Sequence, residues 1–154
     1  MTRAISPVVA APILVGVTVV LATVVGAVAL EFTPPEPADH RVLSANASTD
    51  GTIRVVHETG SEIDLQGASV VIAVDGEKLD HQPPVPFFSA TGFHPGPTGT
   101  FNVATDSVLE PGDTASLRVA GTNDPDLVAG ATVTIRVVED GMQVAVVETT
   151  VGGA

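Results

Sequence analysis

The first thirty residues constrain this chain more than any other part of it. After Arg3 no charged side chain appears until Glu31, so residues 4–30 form an uncharged, mostly apolar stretch. A helix from Pro12 to Leu30 would rise about 28 Å, close to the ~30 Å hydrocarbon core of a membrane. In lipid the backbone has to satisfy its own hydrogen bonds, which favours a helix although Val, Ile and Thr are frequent here. The sequence therefore predicts one hydrophobic α-helix over residues 4–30.

Three roles are open to such a helix. It is a secretory signal if a peptidase cuts after Ala29, because Ala27–Ala29 has the small residues of such a cleavage site. It is a permanent anchor if it stays in the membrane uncut. It is an assembly element if it leaves the lipid and packs against identical helices. The stretch exceeds the roughly 7–15 apolar residues of a secretory signal, which favours a segment that stays attached.

The rest of the chain predicts a linker and a strand-rich head. Residues 31–40 (EFTPPEPADH) hold three prolines and three acidic residues, and proline ends helices and favours a stiff, extended spacer. Residues 41–154 contain short β-branched runs separated by Gly, Pro and Asp. This pattern predicts about six to eight strands in an antiparallel, Ig-like β-sandwich. Asp75-Gly76 and Asp140-Gly141 predict tight hairpins, because glycine accepts positive φ easily.

The charge balance excludes some classes of partner. All 18 acidic residues lie from Glu31 onward, where only five Lys and Arg residues oppose them, which gives this part a formal charge of −13 with neutral histidines. Such a surface repels nucleic acid and anionic lipid headgroups. An acidic shell with a single lysine favours a protein that works in high salt, where screening weakens self-repulsion. An ordinary acidic secreted domain and a calcium-collecting domain are the alternatives.

Residue types that carry chemistry are scarce. The chain has no cysteine, which excludes disulfides, thiolate metal sites and cysteine nucleophiles. The four histidines stand at wide spacings that match no metal site: His40, His57, His81 and His94. Asn123, Asp124 and Asp126 offer oxygen ligands without the pattern of an EF-hand, so a solvated turn is the favoured interpretation. No serine lies in a GxSxG elbow. We expect no enzymatic activity, no metal site and no cofactor.

Asn46-Ala47-Ser48 is the one N-glycosylation triplet of the chain. Such a triplet can be glycosylated only on the outer side of the membrane. An N-terminal export segment therefore strengthens the prediction that this triplet is used. We expect Asn46 to carry a glycan on the exported protein.

Four of the five phenylalanines lie close together, at Phe87, Phe88, Phe93 and Phe101. Phenylalanine in the core of a small domain stabilises it by about 1.5–3 kcal/mol, which favours burial of this group. An exposed adhesive or subunit-contact patch is the alternative.

The order of residues in the apolar stretch points to a family. The segment RAISPVVAAPILVGVTVVLATVVGAV resembles the N-terminal segment of haloarchaeal type IV pilins, where a basic residue precedes a Ser-Pro opening and a Val-, Ile- and Ala-rich helix. The matching opening consists of Arg3, Ala4, Ile5, Ser6, Pro7, Val8 and Val9. The resemblance implies that a prepilin peptidase recognises Ser6, Pro7 and Val8. It implies cleavage between Arg3 and Ala4, which removes residues 1–3 as a leader.

The resemblance also implies a function. The chain would be a structural subunit of an archaeal type IV pilus, first held in the cell membrane and then polymerised through residues 4–30 into a surface filament for adhesion. Small residues allow helices to pack closely, which assigns packing roles to Gly16, Ala22 and Gly26. The partners would be copies of the chain itself, the prepilin peptidase, the pilus assembly machinery and, before assembly, the membrane. The alternative is a single-pass, membrane-anchored extracellular binding domain that does not polymerise.

Overall fold

The computed structural model describes residues 6–31 and 40–153. The chain divides into two units, Met1–Ala38 and Asp39–Ala154. The regular elements are α1 (Pro7–Glu31), β1 (Val42–Ser48), β2 (Thr52–Thr59), β3 (Ile63–Asp64), β4 (Ala68–Val74), β5 (Glu77–Lys78), a 3₁₀ turn (Gly99–Phe101), β6 (Val108–Leu109), β7 (Thr114–Arg118), β8 (Thr132–Glu139) and β9 (Met142–Gly152). The predicted fold class, mainly β with one N-terminal hydrophobic helix, is confirmed.

Helix α1 starts at Pro7 and continues for 25 residues. Proline is favoured in a first helical turn, because its missing N–H has no partner there in any case. Pro12 also lies inside the helix. Its missing N–H leaves the Val8 carbonyl without the usual i→i−4 bond, but the loss falls near the start of the helix, where it interrupts little of the ladder. The segment Pro7–Ala27 is long and apolar enough to cross a membrane.

Seven strands form one curled sheet in the order β5-β4-β8-β9-β1-β2-β7, and β3 pairs with β6 in a separate two-stranded sheet. Every neighbouring pair is antiparallel except β1 and β9, which run parallel where Ala47 pairs with Val151 and Ser48 with Gly152. Because β1 is also paired with β2, it joins the two halves of the sheet. Buried residues of both halves belong to one core. The predicted sandwich thus takes the form of a curled sheet with one parallel contact.

The two hairpins that the sequence predicts are present. Asp75 and Gly76 connect β4 to β5 with φ values of 50° and 83°, and Asp140 and Gly141 connect β8 to β9 with 50° and 78°. Positive φ at both central residues is the geometry of a type I′ turn, which matches the twist of the flanking strands. The longer hairpin, β8–β9, aligns Thr132 with Thr150 at its far end. These turns set the register of the sheet at both places.

The core consists of inward-facing residues, which alternate with outward-facing ones along the strands, together with buried residues of the loops. In β4, for example, Val70, Ile72 and Val74 are buried while Val71 and Ala73 are half-buried. Three of the four clustered phenylalanines belong to this core, with exposed fractions of 5% for Phe87, 5% for Phe93 and 3% for Phe101. The rings of Phe87 and Phe93 lie 5.8 Å apart. Their predicted burial is confirmed, whereas Phe88 is 59% exposed.

Side-chain amides replace strand pairing along the segment that follows β5. Gln82 Oε1 accepts from the Ile72 backbone N–H at 2.7 Å, and Gln82 Nε2 donates to the Ile72 carbonyl at 2.9 Å. The side chain therefore takes the place of a neighbouring strand on β4. Asn123 acts similarly on two loops: its Oδ1 accepts from the His81 N–H, and its Nδ2 donates to the carbonyls of His81 and Gly92. Both amides satisfy backbone groups that burial would otherwise leave unpaired.

Candidate assembly helix and modification site

The surface of α1 is apolar on every side. No charged residue lies between Ser6 and Leu30. Its exposed large side chains are Val8, Val9, Ile13, Leu14, Val15, Val17, Val19, Val20, Leu21, Val24 and Val25. Consecutive positions in this set point in all directions, since each residue turns the helix by about 100°. A helix that is apolar all round is suited to lipid or to the interior of a larger assembly.

The hydroxyl groups of α1 are satisfied within the helix. Thr18 Oγ1 donates to the Leu14 carbonyl at 2.8 Å, and Thr23 Oγ1 donates to the Val20 carbonyl at 2.8 Å. A hydroxyl without a partner is costly to place in hydrocarbon, so these bonds remove a barrier to membrane insertion. Because of these bonds, neither threonine hydroxyl needs a hydrogen-bond partner on a neighbouring helix.

The proposed processing motif lies at the start of α1. The carbonyl of Ser6 accepts hydrogen bonds from the backbone N–H groups of Val9 at 2.9 Å and Ala10 at 3.1 Å. Pro7 is the first helical residue and Val8 the second, and the Val8 side chain is 81% exposed. Arg3 and Ala4, which flank the predicted cleavage bond, lie outside the described residues. The motif therefore marks the point where the helix begins.

The three predicted packing residues occupy separate positions on α1. Ala22 and Gly26 lie about 40° apart around the axis, and Gly16 lies about 80° from Gly26. A Cβ at Gly16 or Gly26 would meet no atom within 4 Å. The single chain thus leaves open space for a Cβ at either glycine, and packing against another helix would be a separate source of steric conflict.

Asn46 lies in the middle of strand β1 with its side chain exposed. It is aligned with Arg54 of β2. Ala47, the next residue of the triplet, is fully buried and aligned with both Ile53 of β2 and Val151 of β9. N-glycosylation triplets are expected in surface loops. Here the triplet belongs to the hydrogen-bonded sheet, and only the amide side chain of Asn46 is presented to solvent.

Ser48, the third residue of the triplet, is bound to the turn that follows it. Its Oγ donates to Asp50 Oδ1. The same carboxylate accepts from the Thr52 backbone N–H and the Thr52 hydroxyl, each at 3.0 Å. The Ser48 hydroxyl, followed by the two Thr52 donors, lowers the pKa of Asp50 to about 2. Arg118 Nε donates to the Asp50 carbonyl at 2.9 Å, and the positive charge of Arg118 lowers the pKa of Asp50 by a smaller amount.

Asp50 is a residue that sequence reasoning missed. The signal was present as Ser-Thr-Asp-Gly, a run of residues that favours turns because Asp accepts hydrogen bonds from nearby backbone groups. The same Asp50 and Arg118 line a surface depression of about 580 Å³, together with His94 and Asp126. The arginine is already bonded to the Asp50 backbone, so the two residues act as a structural pair.

The side chains of His57 and Asn123 are buried and make hydrogen bonds with backbone groups. His57 is fully buried, with Nδ1 3.0 Å from the Leu109 carbonyl and Nε2 3.1 Å from the Thr59 carbonyl. Within residues 6–31 and 40–153 no three His, Asp or Glu side chains are grouped so that they could hold a metal ion. The interpretation of residues 123–126 as a solvated turn is wrong for Asn123, which is fully buried. Its amide is needed by the backbone of His81 and Gly92.

The chain was compared with known proteins by sequence. No protein-family model matches it, and no curated protein matches it. The N-terminal apolar helix and the β-rich head are compatible with a membrane-anchored β domain.

Proposed function

We propose that this chain is the structural subunit of an archaeal type IV pilus. The observation that carries the proposal is helix α1, a 25-residue element that is apolar on every side, begins at a Ser-Pro pair and precedes a separate β-rich unit. The resemblance of residues 3–28 to haloarchaeal pilins supplies the identity of the filament. The acidic head, in which 15 acidic residues face only five Lys and Arg residues, suits exposure to a salty medium outside the cell.

The physical sequence of events follows from the position of the charges. Arg3 holds the start of the apolar segment on the cytoplasmic side, because a charged side chain does not enter hydrocarbon readily. Cleavage after Arg3 removes this charge and leaves the whole apolar helix on the mature chain. The subunit then exchanges lipid contacts for contacts with other copies of α1. Small residues such as Ala22 and Gly26 allow these helices to approach closely.

Electron microscopy of cells that express the chain with its assembly machinery tests the proposal. Surface filaments that bind an antibody raised against residues 41–154 are expected. They should disappear when the prepilin peptidase is deleted, while the uncleaved protein accumulates in the membrane fraction. If the protein reaches the cell surface but is found only in the membrane, without filaments, it is an anchored binding domain and the proposal is wrong.

A further inference from the structure

Asn46 has an exposed side chain on a backbone paired with β2, and the two residues that follow it in the triplet are paired with β9 as well. Strand β1 lies between β2 and β9 in the sheet order. Residue Ala47 is aligned with Ile53 on one side and Val151 on the other, and Ser48 is aligned with Gly152. An enzyme that binds the triplet in its own active site needs this backbone as well as the amide. In the folded head, the neighbouring strands occupy that backbone.

The second recognition element of the triplet is occupied too. A hydroxyl residue two positions after the asparagine defines the acceptor, so the transferase has to contact that hydroxyl. In this head the Ser48 hydroxyl donates to the carboxylate of Asp50, which is itself held in place by Thr52. The folded state thus presents the amide, while the hydroxyl is engaged by Asp50 and the backbone by the neighbouring strands.

We propose that Asn46 receives its glycan only before β1 is enclosed by β2 and β9, so that the folded head is not an acceptor. The inference rests on the export that the proposed function requires. In the reaction, C1 of the oligosaccharide bonds to Nδ2 of Asn46, which gives up one proton. The C1–O bond to a polyprenyl-phosphate carrier breaks, and the carrier leaves with the electron pair.

The order of the chain keeps the triplet open for much of its synthesis. The β9 residues that close it, Val151 and Gly152, follow Ser48 by more than 100 residues. Until these residues reach the same side of the membrane, β1 has no partner on its β9 side. Glycosylation at Asn46 therefore competes with folding of the head, and the fraction of glycosylated chains reports how slowly β9 docks.

The test compares acceptors with a purified oligosaccharyltransferase and a lipid-linked oligosaccharide. The acceptors are the full chain, folded in detergent micelles, and a synthetic peptide of residues 42–52. We expect the peptide to be modified and Asn46 of the folded chain to react at least about a hundredfold more slowly, since a paired strand opens rarely. A variant with Asp140→Asn and Met142→Thr is the matched control. It places a triplet on the exposed β8–β9 turn of the same folded head, where modification should proceed readily.

Two outcomes would overturn the inference. If folded chain and peptide react at Asn46 at similar rates, enclosure of β1 does not limit the enzyme. If the exposed turn of the variant is modified while Asn46 reacts neither in the peptide nor in the chain, Asn46 is not an acceptor. Neither result affects the filament proposal, which is read from filaments on cells.

Discussion

At the scale of single residues, Asn123 joins two loops that lack strand pairing with each other. Its amide makes hydrogen bonds of 2.9 Å with the His81 N–H, 2.9 Å with the His81 carbonyl and 3.3 Å with the Gly92 carbonyl. Gly92 is needed beside it, because a Cβ at that position would lie 2.7 Å from Asn123 Nδ2. A buried amide that satisfies three backbone groups contributes more to stability than an exposed one.

We expect Asn123→Ala to lower the free energy of unfolding by about 2–4 kcal/mol, because the His81 N–H and carbonyl lose the Asn123 amide and the Gly92 carbonyl keeps only its bond from the Ala120 N–H. Urea unfolding of the unglycosylated chain, followed by circular dichroism, measures the change. Asn46→Ala is the matched control: the same substitution at an exposed strand position should change stability by less than about 0.5 kcal/mol. Similar values for the two variants would show that the Asn123 bonds do not stabilise the loops.

Asp50 should titrate well below an ordinary aspartate. Its pKa is lowered from 3.8 to about 2, mainly by the Ser48 hydroxyl and then by the two Thr52 donors. Since the folded-state pKa is depressed, the stabilisation is present above about pH 4 and is lost as the pH falls through about 2. Carbon-13 NMR of the carboxyl group measures the titration. Ser48→Ala should move the midpoint back toward 3.8, and a midpoint near 4 in the unaltered chain would contradict the turn geometry.

At the scale of elements, hairpins and the helix could be predicted from local sequence. Asp75-Gly76 and Asp140-Gly141 determine their turns because both residues of each pair adopt positive φ. The apolar stretch predicts a helix because, in lipid, a helix satisfies the backbone N–H and C=O groups of a single long segment within that segment. The dense apolar run ASVVIAV of β4 is typical of a strand buried on both faces, but it has one buried face and one less buried face. Composition alone does not report which side of a strand the core occupies.

Other elements depend on contacts that no local pattern contains. The parallel contact between β1 and β9 joins Ala47 and Val151, whose pairing follows from the curl of the sheet. Asn46 and Ser48 are poor strand formers, so their position in β1 results from the neighbouring strands rather than from propensity. The sequence therefore predicts the acceptor asparagine but not the enclosure of its backbone. The exposure of Phe88 among buried phenylalanines is likewise decided by tertiary packing.

Substitutions in α1 separate assembly from membrane insertion. Gly16→Leu and Gly26→Leu should leave insertion intact, because both increase apolarity and the Cβ of either new side chain enters open space. In a filament each would crowd a helix contact at a cost of about 1–3 kcal/mol per subunit, which should reduce or abolish filaments. Electron microscopy and membrane fractionation measure the two effects.

Val24→Leu is the matched control for these variants. Val24 lies about 160° around the helix from Gly26 and already carries a large side chain, so filaments should persist. Normal filament numbers in both glycine variants would show that close packing at Gly16 and Gly26 is not needed for assembly.

At the scale of the whole molecule, acidic residues outnumber the cations, and long parts of the head contain no cation. No Lys or Arg lies between Arg54 and Lys78, or between Lys78 and Arg118. Asp106, Glu110 and Asp113 line one surface depression on the loops that flank β6. Repulsion among such groups is weak in concentrated salt and grows as the Debye length rises from ~3 Å at 1 M to ~10 Å at 0.1 M.

The head should lose stability as salt is diluted. We expect the melting temperature of the full chain in a non-ionic detergent to fall by several degrees between molar and 0.1 M salt, because the 15 acidic residues of the head, opposed by only five Lys and Arg residues, then repel each other. Glu110→Gln should reduce the fall, since it removes one charge from the acidic depression. A melting temperature that is constant or rises on dilution would show that the acidity does not serve stability in salt.

The central claim is that α1 stays on the mature chain and forms the core of a filament. The most direct test is the intact mass and N-terminal sequence of the protein in purified surface filaments. We expect a chain that begins at Ala4, lacks residues 1–3 and retains all of Pro7–Glu31. A surface protein that begins at Leu30, with the helix removed, would contradict it.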